Sequence, residues 1–114
     1  MNHADINPLK AIEYIYSNGA KYAQAKAELT YLEEFRKSKK ALLMKTAIVN
    51  GAKSVAAEEM EAYADSEYIE LLKAIKTATE VAEGLRWHIV AAQARIDVWR
   101  STEASNRAMD RNVA

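Results

Sequence analysis

The 114-residue sequence has no cysteine, one proline, three glycines and one phenylalanine. Without cysteine there are no disulfides, no thiolate metal sites and no cysteine nucleophiles, a composition that fits a reducing compartment. With so few prolines and glycines there are few places for tight turns, so long helices with few connections are expected. The β-branched residues are scattered and no apolar–polar alternation persists, which argues against strands. No stretch approaches the roughly 20 apolar residues of a membrane span. The opening Met-Asn-His-Ala-Asp has no basic stretch leading into an apolar run, so no signal peptide is expected and the cytoplasm is the expected location. Net charge is zero, so the chain lacks the overall positive field that draws proteins to nucleic acid.

What is present is a helical seam. From Tyr68 to Trp99 apolar and small residues recur at alternating three- and four-residue steps: Tyr68, Leu71, Ile75, Ala78, Ala82, Leu85, Ile89, Ala92, Ile96 and Trp99. This is the repeat of a helix lying along another helix in a supercoil. Ala78, Ala82 and Ala92 would let the partner helix come close. Gly84, just off the seam, costs about 1 kcal/mol relative to alanine in a helix interior, so a packing reason is expected for it.

Cap signals divide the rest of the chain. Asn7-Pro8 predicts a helix start, and Ser17-Asn18-Gly19 a stop or kink, giving a short helix over 8–17; the alternative is that it runs on. Leu9, Ile12, Ile15 and Tyr16 give it an apolar stripe. A long helix over 20–49 follows, with Tyr22, Ala25, Leu29 and Leu32 in the seam and Phe35, Leu42, Leu43 and Ala47 taking over as the stripe drifts. Asn50-Gly51 reads as its C-cap. Ser54 caps a short acidic helix over 54–64, and Asp65-Ser66 opens a last helix over 66–108 that frays towards Ala114. The expectation is a single all-α domain over 1–114. Its form would be an antiparallel helical hairpin or coiled-coil-like bundle, with a short N-terminal helix and a short acidic connecting helix.

Charge is distributed unevenly. From Gly19 to Lys53 there are eight basic and three acidic side chains, a formal +5; from Ser54 to Glu83 there are two basic and eight acidic, a formal −6. Folding back between them would set the basic Arg36–Lys45 stretch beside the acidic one and fix the register.

Two groups of residues are candidate contact surfaces. Arg86, Trp87 and Arg95 stand off the seam. Trp87 forms a second apolar strip with Val90, Ala91, Ala94 and Val98, to be covered by the first helix or by another subunit; a homo-oligomer is therefore expected. Trp99 belongs to the seam and is read as core. The second group is Arg36, Lys37, Lys39 and Lys40, with Arg100 and Arg107. It could bind nucleic acid through phosphate contacts, or form a solvated face that balances the acidic segment; the second reading carries more weight. His3 and His88 have no carboxylate partner at helical metal-ligand spacing, and no phosphate loop, nucleophile elbow or zinc spacing is present. No catalytic residue, metal or cofactor is expected.

The stretch Leu85-Arg86-Trp87 through Ala91-Ala92, Ala94-Arg95-Ile96 and Val98-Trp99-Arg100 to Ala104-Ser105-Asn106-Arg107-Ala108 resembles small helical proteins of unknown function encoded by tailed bacteriophages. Glu61 to Ile69 shares the likeness, which covers about the second half of the chain. The resemblance implies an accessory gene product of phage recombination, replication or counter-defence, working in the host cytoplasm. It carries no assigned functional residues. On this reading the protein is a non-enzymatic binding protein acting on a host or phage protein; the alternative is a protein associated with DNA or single-stranded DNA.

Overall fold

The computed structural model describes residues 6–113. His3 lies outside them. The described residues form three helices and no strand: α1 (Pro8–Val49), α2 (Val55–Ala64) and α3 (Ser66–Val113). Each start is capped as its sequence predicts. The Asn7 carboxamide oxygen accepts from the Leu9 and Lys10 amides, the Ser54 hydroxyl from the Ala57 amide, and the Asp65 carboxylate from the Glu67 amide. These bonds satisfy amides that have no partner within their own helix.

The end of α1 is equally local in origin. Gly51 sits at φ 103°, a region that L side chains rarely adopt. From there its own amide donates to the Ile48 carbonyl and the Ala52 amide to the Ala47 carbonyl. This is the Schellman arrangement, which closes the last turn and releases the chain towards Ser54.

The break expected at Ser17-Asn18-Gly19 is absent, and α1 runs unbroken through it. The Asn18 amide group donates to the Tyr14 carbonyl one turn back at 2.9 Å, and Gly19 keeps a negative φ. Along α1, Ala11, Ile15, Asn18, Tyr22, Ala25, Leu29 and Leu32 are buried or half-buried at strict three- and four-residue steps. Asn18 therefore belongs to the packing stripe, and tertiary packing overrides its turn propensity. A second correction lies further on. Lys39 and Lys40, with Leu43 and Ala47, continue that stripe, while Phe35 and Leu42 turn outward. The α3 helix continues to Val113, past the expected end near Ala108.

The chain divides into two compact units. One contains residues up to Ala23 and from Glu83 onward; the other is Gln24–Ala82. In the first, Ala11 and Ala92 are the buried apolar residues. In the second they are Ala47, Ala62, Tyr68 and Ala82. On α3 all ten seam residues from Tyr68 to Trp99 are buried or half-buried, and Arg86 is the one other residue of that stretch that is not exposed. No helix of the described residues is long and apolar enough to cross a membrane.

Candidate functional site: an outer face of α3

In the unit that contains Glu83–Val113, α3 carries two apolar stripes. Leu85, Ile89, Ala92, Ile96 and Trp99 are the less exposed one. Trp87, Ala91, Ala94 and Val98 each follow a seam residue by two positions, which places them about 200° further round the helix. All four are exposed, as are Gly84 and Val90. Trp87 is 57% exposed, while Ala91 of the same strip borders a groove shared with the first helix.

Arg86 and Trp87 come together as one feature. The Arg86 guanidinium lies over the indole at 4.6 Å from the ring centroid, and its Nε donates to Glu83 at 3.2 Å. The cation thus touches both the ring and a carboxylate. Trp99 is half-buried in the seam, as its spacing predicts.

Arg95 is placed elsewhere. With Lys10, Tyr14 and His88 it lines a groove of about 720 Å³ in the same unit, floored by Ala11, Ala91 and Ala92. The Tyr14 and His88 rings meet edge to face at 6.4 Å. His88 makes its contact to an aromatic ring, and among the described residues no group of acids and histidines is arranged to hold a metal.

The basic cluster is largely neutralised within the chain. Lys37 pairs with Glu34 at 3.2 Å, Lys39 with Glu67 at 2.9 Å and Lys40 with Glu59 at 3.4 Å. The Lys40 ammonium also lies 4.8 Å from the centroid of the Tyr63 ring. Tyr63, and Glu59 after it, favour the charged ammonium and push its pKa up from the ordinary lysine value. Arg100 faces Asp97 at 3.8 Å, and Arg36 and Arg107 are exposed.

Leu9, Ile12 and Tyr16 do not share the α1 stripe with Ile15 as expected; they point to solvent, and Tyr16 is 89% exposed. The signal was available: Ala11, Ile15, Asn18 and Tyr22 keep the heptad step, and Leu9, Ile12 and Tyr16 stand one residue off it. No family model matches the chain, and neither a curated protein nor a solved structure does.

Proposed function

We propose that this chain is a non-enzymatic helical binding protein whose contact face is the outer stripe of α3 around Trp87. The observation that supports this most directly is the exposed indole with Arg86 stacked on it and small residues beside it. Aromatic and arginine side chains are the usual anchors of protein interfaces. In this reading α1 and α3 pair as an antiparallel hairpin, and the chain works as a homo-oligomer. Tyr14 against His88 in one unit, and Lys39 against Glu67 in the other, fit that pairing. Following the likeness of the second half to phage helical proteins, the role we propose is that of an accessory protein, an inhibitor or adaptor of a host or phage protein.

Nucleic-acid binding is the weaker alternative, because Lys37, Lys39 and Lys40 each have a carboxylate partner in the chain. A phosphate backbone would have to displace those carboxylates. The test is a pair of titrations. Protein binding should be lost in Trp87→Ala with helix content unchanged. Binding to single- or double-stranded DNA at low salt should be absent. DNA binding that falls steeply with salt and disappears on reversing Lys39 and Lys40 would overturn the proposal in favour of the alternative.

A further inference from the structure

The groove over Ala11 and Ala92 has a chemistry that the outer stripe of α3 does not share. Both floor residues are buried. Alanine fills a helix contact without reaching past it, so the longer side chains on either side stand above the floor and enclose about 720 Å³. Clefts that take small molecules run from about 300 to 1,000 Å³.

The walls follow helical spacing. Lys10 and Tyr14 stand about one turn apart on α1, and His88 and Arg95 about two turns apart on α3. Each helix thus brings one cation and one aromatic ring to the same cleft. The two rings already meet edge to face. In the antiparallel pairing of α1 and α3 proposed above, Lys10 and Arg95 fall at one end of the groove and the ring pair at the other.

Charge selects the ligand. Among the described residues no carboxylate lines this groove, and neither Lys10 nor Arg95 has an ion-pair partner. A groove in the other unit makes the contrast. It is lined by Lys39 together with Glu67 and Glu70, and Lys39 is bound to Glu67 at 2.9 Å. There the cation is neutralised by the chain. Over Ala11 and Ala92 two cations share a concave surface with no acid, an arrangement that draws an anion. A guanidinium offers paired donors that match a carboxylate or phosphate, and an ammonium adds a point charge. Tyr14 and His88 offer ring surface with polar edges, which suits a flat body.

We propose that this groove binds a small organic anion, with a phosphate or carboxylate head held by Lys10 and Arg95 and a flat ring set against Tyr14 and His88. The site goes beyond the protein-binding stripe and shares only Ala91 with it. The placement of head and ring rests on the helix pairing proposed above.

The test is an amide chemical-shift titration of the isotope-labelled full chain at low salt, with phenyl phosphate and benzoate as probes. Signals of Ala11, Tyr14, His88 and Ala92 should move, and those of Gln24–Ala82 should stay. The tighter of the two probes identifies the head. Inorganic phosphate lacks the ring and should bind at least about tenfold more weakly than phenyl phosphate. Benzylamine has the ring and the opposite charge, and should not bind. Lys10→Gln and Arg95→Gln should each weaken phenyl phosphate about tenfold, the loss expected for one charge-assisted hydrogen bond. Both residues are exposed, so helix content should not change. Trp87→Ala should leave the affinity as it is. The absence of shifts with both probes overturns the proposal. So do shifts spread over the lysines of the whole chain, equal binding of inorganic phosphate, or an affinity unchanged in both glutamine variants. A chain that binds phenyl phosphate here and no protein through Trp87 upholds this site and refutes the protein-binding face.

Discussion

The two units use the same helices to opposite ends. In Gln24–Ala82, two lysines on the packing stripe of α1 reach carboxylates on other helices, Lys39 to Glu67 and Lys40 to Glu59. Tyr63 and Tyr68 meet edge to face at 5.3 Å beside them. In the unit formed by the chain ends, the described ion pairs all lie within α3, and the indole of Trp87 is turned outward. Gln24–Ala82 thus has ion pairs that join different helices. The other unit has only local pairs among the described residues, and its indole is exposed. A heptad seam runs through both, and the residues flanking it decide whether a region is closed by contacts between helices or left with an exposed aromatic.

Adjacent residues give the sharpest way to break this contrast. Ala92 is 3% exposed on the seam, while Ala91 beside it is exposed. Ala92→Arg buries a charge without a partner and should cost about 3 kcal/mol, lowering Tm by more than about 10 °C. Ala91→Arg should change stability by less than about 0.5 kcal/mol. Thermal melts followed by circular dichroism read both. Equal losses would mean that the two faces of α3 are not distinct.

The glycines sharpen the comparison at about a third of that size. Gly51→Ala forces a Cβ into the left-handed region at φ 103° and should destabilise by about 1 kcal/mol. Gly84→Ala adds a Cβ into open space on a helix and should stabilise by roughly 0.5–1 kcal/mol. Urea midpoints of the two variants should therefore move in opposite directions.

The parts of the fold legible in the sequence were those governed by local chemistry or strict spacing. Asn7, Ser54 and Asp65 cap because their side chains reach amides two or three residues on. Gly51 turns because it lacks a side chain, and the α3 seam follows from its period alone. What was missed depended on packing against other helices. Asn18 and Gly19 have turn propensity, but their place on the α1 stripe keeps them helical. Lys39 and Lys40 look like surface residues, yet they occupy positions reached by carrying the step from Leu29 and Leu32 onward. That the basic stretch meets the acidic one was legible from the charge distribution, as Lys39–Glu67 and Lys40–Glu59 show; that two of its lysines sit on the packing stripe was not. At Trp87 the strip itself was legible, but its being bare was not, because that depends on which face of α3 meets α1.

Smaller effects separate the two units by salt and pH. Lys39 is a 22% exposed side chain whose partner Glu67 is 66% exposed, so Lys39→Met should cost at most about 1 kcal/mol, and less as salt rises. Lys40 adds a pH signature. Its pKa is raised in the fold, first by Tyr63 and also by Glu59, so the folded state holds this proton more tightly than the unfolded chain does. Whatever stability it contributes is complete below the ordinary lysine pKa and is lost as pH rises through the raised value. The stability gap between wild type and Lys40→Met should then be constant across neutral pH and narrow in alkaline solution. Chemical denaturation of the two proteins at neutral and alkaline pH measures the gap. A gap that widens with pH would show that the ammonium is not stabilised by its neighbours, and that this unit is no more closed than the other.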